Sequence, residues 1–386
     1  MSSILTNNGA MVALQTMKAI NKNMGQVQAE ISTGKAVGSA KDNAAVWAIS
    51  KVMESDVKGF KGISDSLSLG SSTVAVAQNA AETVTDLLTS IKGKIVAAQE
   101  SNVDRGKIQT DISALRDQIT SVVNAAQFNG LNLLSNTSKT AGTGSVNILS
   151  SLDRSATGVT ASSIDVGKKD LGTGASSISL TATATATGTN NISGAYDAAA
   201  AALAGAATPA TTTTTLYASA TSAVAAGTGF SLEISASGGN VAGSNTTNRN
   251  DIKYVARDGD TAADVAKGLA DAFNQHLKNT LGEGNVGTVG AVANGNVITF
   301  TGATGVAGDV MSIAANSWAA ADTTIGGGLE ALSTVDVTTG AGAASALNEV
   351  EGLIQTAIDA AASFGSARGR IDTQKDFVSN LVDSLK

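Results

Sequence analysis

The chain has 386 residues, a net charge of -7 and no cysteine, which excludes a disulfide framework, a thiolate metal site and the basic footprint of a nucleic-acid binder. Hydrophobic residues make up 42% but aromatics only 3%, so the apolar content suits close helix contacts and tight strands better than one large globular core. The N-terminal MSSILTNNGAMVALQ lacks a basic n-region and a continuous apolar block, and no apolar run of about eighteen residues occurs, so neither a cleavable signal nor membrane insertion is read.

Residues 3–33 carry Ala10, Ala13, Met17, Ile20, Met24, Val27 and Ile31 in unbroken steps of three and four, the period of a coiled-coil seam. Thr33-Gly34 supplies a stop. Ala and Met at these positions specify geometry weakly, which predicts a helix ordered only against partners. The other reading is an amphipathic helix packed on its own domain. Residues 34–43 form a polar connector, with Asp42 or Asn43 as N-cap of the next helix.

A helix over about 43–100 carries a longer seam: Phe60, Ile63, Leu67, Gly70, Val74, Ala77, Ala81, Val84, Leu88, Ile91, Ile95 and Ala98. It would be roughly 85 Å long at 1.5 Å per residue, too long for a compact domain to bury. A third seam, Ile108, Ile112, Leu115, Ile119, Val122 and Ala126, is capped by Asp104 and folds back as an antiparallel hairpin. Phe128-Asn129-Gly130 breaks it, leaving Leu131, Leu133 and Leu134 to dock as an extended piece.

From about 137 the character changes to Thr, Ala, Ser and Gly. Ile178–Thr181 and Phe230–Ile234 alternate as strands, Thr211–Thr215 favours extended structure, and Ala198–Ala207 reads as a short helix or a flexible loop. Low complexity leaves disorder open, but few charges and many β-branched residues favour a packed β-domain. Within it, strand Ile252–Val255, turn Gly259-Asp260, a helix from Thr261 with Val265, Leu269 and Phe273 on one face, and strand Val297–Phe300 make an α+β module. A fourth seam closes the chain: Leu347, Val350, Ile354, Ala357, Ala361, Phe364, Arg368, Ile371, Lys375, Val378, Val382 and Leu385, interrupted by its two basic residues.

These elements predict an α+β fold: a long-helix coiled-coil bundle built from both chain ends, with a β-rich outer insertion in the middle. The divisions are an N-terminal helix over 1–34, a helical domain over 35–136 plus 342–386, and a variable β-rich region over 137–341 holding a β-α-β module at about 230–315.

Catalytic chemistry has little to stand on, and no enzyme, cofactor or metal is expected. His276, the single histidine, reads as a surface residue; without cysteine it builds neither a usual zinc site nor a Cys-His pair. Gly326-Gly327-Gly328 lacks the following Lys-Ser/Thr of a phosphate loop and reads as a flexible return to the helical core. Asp and Asn between Arg249 and Asp260 offer calcium ligands without EF-hand spacing. No H-E-x-x-H peptidase motif occurs.

Three groups of residues carry a family resemblance: Ile4-Leu5-Thr6-Asn7 with Ile31–Lys35 and Ser39–Ala45; Phe128-Asn129-Gly130 with Leu133-Leu134; and Gly365, Arg370-Ile371 and Phe377–Leu381. In this order they resemble the N- and C-terminal conserved regions of bacterial flagellins, most of all those of alphaproteobacteria. The residues at 230–315 are similar to an insertion repeat of flagellins and hook-associated proteins. The resemblance implies a self-polymerising subunit of the swimming filament, secreted through the flagellar export apparatus with an export chaperone, and meeting cap and hook-junction proteins. Assembly is expected to use Met17, Ile20, Met24 and Val27 inside, and Phe60, Leu67, Leu88, Ile91, Leu115, Ile119, Ile354 and Ile371 in the outer core. A hook–filament junction protein, or a surface adhesin carried by 140–340, is the alternative.

Two departures from the family pattern stand out. Family members continue past a segment like Phe377–Lys386 into one further helix, so a longer parent chain is expected, or else a variant without that helix. Where flagellins seen by Toll-like receptor 5 carry an Arg-Glu-Leu pattern, this chain has Lys92, Gly93 and Lys94, which implies weak or no receptor activation. Ser and Thr over 137–248 invite O-glycosylation, and Asn136, Asn191 and Asn245 are weak sequons.

Overall fold

A computed structural model of the chain describes residues 7–155, 158–184, 201–204, 211–237, 241–282, 289–302 and 310–385. It divides into two compact units. The first comprises Met1–Ser66, Ser150–Ser162 and Gln374–Lys386; the second comprises Leu67–Leu149 and Ser163–Thr373.

Helix α1 (Asn8–Thr33) starts where the Asn7 side chain accepts the Ala10 N–H at 3.1 Å, and ends at Gly34 in the left-handed region. Helix α2 (Ala44–Ala98) is capped by Asn43, whose Oδ1 accepts from Val46 N at 3.2 Å. Asp42, the other capping candidate, instead closes the connector by accepting from the Ser39 N–H and hydroxyl. Helix α3 (Arg105–Ala125) begins with Asp104 accepting from Lys107 N. Helix α5 (Gly340–Ser384) ends the chain's described part, after the shorter α4 (Ala262–Leu281).

The α2 seam is buried as its period requires: from Ile63 to Ala98 every apolar seam position is at most 1% exposed, while Leu69 and Val96, off the seam, are half exposed or more. Gly70 fills the gap in the row for a steric reason. A Cβ there would stand 2.6 Å from Ile148, which occupies the notch. The antiparallel α2–α3 hairpin is tied by Lys94 to Asp111 at 2.5 Å and by Arg105 Nε to the Ala98 carbonyl at 2.8 Å. Helix α5 runs antiparallel to α2, with Lys92 on Glu351 at 2.5 Å and the Ser71 hydroxyl on Asp372 at 3.1 Å.

Two seams differ from the sequence reading. In α3 the step after Ile119 is four, burying Val123 and leaving Val122 half-buried. In α5 the row is Ala343, Ala346, Val350, Leu353, Ala357, Ala360, Phe364, Ala367, Ile371, Val378 and Val382. Alternate members therefore lie one residue earlier than expected. Leu353 is buried and Ile354 only half-buried, and Arg368 and Lys375 interrupt nothing because neither belongs to the buried row. Small alanines take the close-approach positions, and the larger neighbours Leu347 and Ile354 sit on the flank.

After α3, strands β1 (Gln127–Phe128) and β2 (Leu131–Asn132) form a tight hairpin through Asn129 (φ 51) and Gly130 (φ 79). Two successive positive φ values are what a type I′ turn needs, and Asn-Gly provides them. Leu133 and Leu134 then dock, buried. Strands β3 (Ser145–Ser155) and β4 (Gly158–Gly167) pair as a two-stranded sheet.

The expected strand Ile178–Thr181 shrinks to β5 (Ser177–Ile178). Part of the alanine run, expected as helix or loop, is strand β6 (Ala201–Ala204); residues 198–200 and 205–207 lie outside the described residues. The polythreonine is strand β7 (Thr211–Thr215). Beyond it come β8 (Gly229–Ser237), β9 (Lys253–Val255), helix α4, β10 (Gly290–Asn294), β11 (Val297–Thr301), β12 (Val310–Trp318) and β13 (Thr323–Thr324), the last pairing with β5. One antiparallel sheet is ordered β6-β12-β8-β9 and another β10-β11-β7. Helix α4 buries Val265, Leu269, Phe273 and Leu277 in one apolar core with Phe230 and Leu232 of the first sheet and Ile298 and Phe300 of the second. Asp264 accepts from both the N–H and the hydroxyl of Thr261, fixing the start of α4.

The Gly326-Gly327-Gly328 run is not a flexible return. It lies flat against the backbone of residues 170–176. A Cβ on Gly326, Gly327 or Gly328 would fall within 2.2 Å of Ser176 N, Gly172 O and Asp170 O respectively. Gly327 N donates to Gly174 O at 2.7 Å and Leu329 N to Gly172 O at 2.9 Å. Three glycines are needed because only bare backbone fits.

Candidate assembly surfaces

Among the described residues, α1 carries more exposed large apolar side chains than any other element. None of its residues is buried. Met17, Ile20, Met24 and Val27 are 50 to 61% exposed, and Met11, Val12 and Leu14 form a second apolar flank, equally exposed. A helix apolar over so wide an arc is one that other helices surround. The sequence reveals the first row through its period; the flank escapes that signal because its residues lie outside the three–four alternation.

The start of α2 adds Val46, Ile49 and Val52, all exposed. Val46 and Ile49 stand in the register of the seam that is buried from Ile63 onward, so the same periodic signal extends to them. Phe377 on α5 is 57% exposed.

The other expected assembly residues are less exposed than those of α1. Leu67, Leu88, Ile91, Ile119 and Ile371 are fully buried, packed inside the chain. Phe60, Leu115 and Ile354 are half-buried.

The Lys92-Gly93-Lys94 stretch lies on the outer side of α2. Lys92 reaches Glu351 on α5 and Lys94 reaches Asp111 on α3, while a Cβ on Gly93 would meet nothing within 4 Å. The ridge therefore presents bare backbone flanked by two partly exposed ion pairs.

Three further groups have defined surroundings. His276 is half-buried rather than freely exposed, its Nε2 2.9 Å from the Ser244 carbonyl. Asn136 is 6% exposed and donates to the Asp258 carbonyl, so its sequon is closed to a glycan in the folded chain. Asn191 and Ile4–Thr6 fall outside the described residues. Glu349 on α5 accepts from the Thr334 hydroxyl at 3.3 Å, yet burial pushes its carboxyl up to about 7. Among the described residues no group of three or more His, Cys, Asp or Glu is placed to hold a metal ion, and no helix is long and apolar enough to cross a membrane.

Comparison with known proteins identifies the family. A family model described as the bacterial flagellin N-terminal helical region matches residues 4–139. Flagellin A of Rhizobium meliloti is 31% identical over 387 residues, covering 100% of this chain and 88% of that protein. Flagellin C of Rhizobium meliloti strain 1021 is 43% identical over 166 residues, 43% of this chain and 51% of its own length. Among solved structures, flagellar hook associated protein-3 from Legionella pneumophila aligns over 87% of this chain and 96% of its own at 10% identity, with a TM-score of 0.36. With a 31% identical relative matched along the whole chain, and a long helical region at each chain end, the chain belongs to the bacterial flagellins, the structural subunits of the flagellar filament.

Proposed function

We propose that copies of this chain polymerise through the exposed face of α1 together with the first turns of α2. The observation that carries this reading is a 26-residue helix with no buried residue and an apolar row of Met17, Ile20, Met24 and Val27. Such a helix is marginal in water and gains stability by covering its face with equivalent helices of other copies. Contacts that are not self-complementary do not close, and repeat into an open helical polymer.

In this reading residues 1–34 form the inner core, and 35–136 with 342–386 the outer core, while 137–341 face outward. The filament lies outside the cell, reached through the flagellar export apparatus with an export chaperone, and ends at cap and hook-junction proteins. The family relationship supports a structural rather than a catalytic role. The end-to-end match to a flagellin favours the filament over the junction protein.

Met17→Asp with Met24→Asp tests the assembly face. The double variant should stay monomeric by sedimentation where the parent chain forms filaments, and its thermal melting should match the parent's, because neither side chain is packed in the monomer. Filaments of normal length by electron microscopy would refute the assignment. Weak or absent activation of Toll-like receptor 5 is the expectation from Gly93 and its flanking ion pairs.

A further inference from the structure

With no cysteine in the chain, the methionine thioethers are its most readily oxidised side chains toward a peroxide. Six methionines occur, and the fold sorts them. Met311 of β12 is 1% exposed in the core around α4, and Met53 of α2 is half-buried. Met1 lies outside the described residues. Met11, Met17 and Met24 of α1 are 66%, 61% and 56% exposed, open to a dissolved oxidant.

Met17 and Met24 stand one heptad apart in the apolar row of α1, at the same position of its seam, and Met11 lies on the flank. The monomer packs neither side chain, since no residue of α1 is buried. Both become enclosed only when the row is covered by other copies.

Oxidation alters the property that such a seam uses. The sulfur lone pair attacks one oxygen of hydrogen peroxide, and an S–O bond forms as the O–O bond breaks. The other oxygen leaves as water, taking the proton of the transferred one. Sulfur is oxidised by two electrons and the peroxide is reduced by two. The product is a sulfoxide, polar where the thioether was apolar. The side chains of Ala13, Ile20, Val27 and Ile31 in the same row offer its oxygen no hydrogen-bond donor, and burying an unmet polar oxygen is unfavourable. In the monomer the same oxygen faces water and costs nothing.

We propose that Met17 and Met24 are a reversible oxidation site that controls polymerisation. Peroxide oxidises them in the free subunit and holds it out of the polymer, while contact with other copies shields them after assembly. This rests on the assembly face assigned to α1 and adds its regulation. Leucine would fill these positions with similar volume, so methionine is what makes the face responsive to an oxidant.

The test treats the full-length monomeric chain with hydrogen peroxide, maps oxidation by peptide mass spectrometry, and follows polymerisation by sedimentation and electron microscopy. Met17 and Met24 should oxidise well ahead of Met311. The oxidised chain should need an about tenfold higher concentration to polymerise, equivalent to 1.4 kcal/mol. Methionine sulfoxide reductases acting on both sulfoxide epimers should restore the parent behaviour. Met17→Leu with Met24→Leu should polymerise like the parent, before and after peroxide. The proposal is overturned if the oxidised parent polymerises normally, if the leucine variant fails to polymerise with or without peroxide, or if filaments oxidise at Met17 and Met24 as fast as the monomer does. If the untreated parent does not polymerise, or Met17→Asp with Met24→Asp still forms filaments, the assembly face itself fails and this site falls with it.

Discussion

Gly327 lies so close to the Gly172 carbonyl that any side chain must push two backbones apart. Gly327→Ala should therefore lower stability by about 2 kcal/mol or more, read as a drop in the denaturant midpoint. Gly93→Ala, with open space around the same added methyl, should be neutral or slightly stabilising, because alanine favours helix. Glu349 gives a pH dependence of definite sign. Its folded carboxyl titrates near 7 against an ordinary 4.5, so between these values the folded chain holds a proton that the unfolded chain has lost. Stability is therefore highest at the acid end of this window and falls as pH rises toward 7, then levels off. Glu349→Gln removes that slope and should raise the melting temperature at pH 8 relative to the parent chain. A parent melting curve that does not change between pH 5 and pH 8 would count against the assignment.

The helices differ in how plainly their sequences declare them. The α2 row is legible because Ile, Leu and Val recur at the buried positions with polar residues between them. The α5 row reads one residue off at alternate positions, since Ala346, Ala360 and Ala367 give little contrast beside Leu347 and Ile354. The observed register predicts that Leu353→Ala costs about 2–5 kcal/mol while Ile354→Ala costs clearly less, measured by urea unfolding. Helix α4 is legible from its capping residues and its apolar face. The strand order around it is not, because Thr, Ser and Ala on both faces mark no inside. The glycine run misleads for a related reason: composition registers the freedom of a glycine but not a neighbouring backbone that takes it away.

At the scale of the whole molecule, an intramolecular core and an unpartnered surface are carried by different stretches of the same helices. Leu88→Asp, at a fully buried α2 position, should unfold the bundle and abolish filaments together, seen as lost helicity by circular dichroism. Substitutions at Met17 or Met24 should separate the two effects, leaving helicity in α2, α3 and α5 while removing the polymer. On the proposed reading that Gly93 and its flanking ion pairs weaken Toll-like receptor 5 activation, Gly93→Glu, which places a carboxylate between the two lysines, should raise activation in a reporter cell above the parent chain's.

The clasp of residues 326–330 on residues 170–176 has a consequence for what the middle of the chain can carry. Gln109 on α3 also grips the returning strand, donating to the Val335 carbonyl and accepting from Val337 N. Departing and returning segments therefore meet at one doorway beside the helices, while further bonds outside it, Ser345 of α5 to Asn279 of α4 and Asn136 to the Asp258 carbonyl, also hold the intervening polypeptide. Foreign sequence of very different length inserted there would impose no new span on the helices, which makes this doorway a natural docking point for displayed cargo.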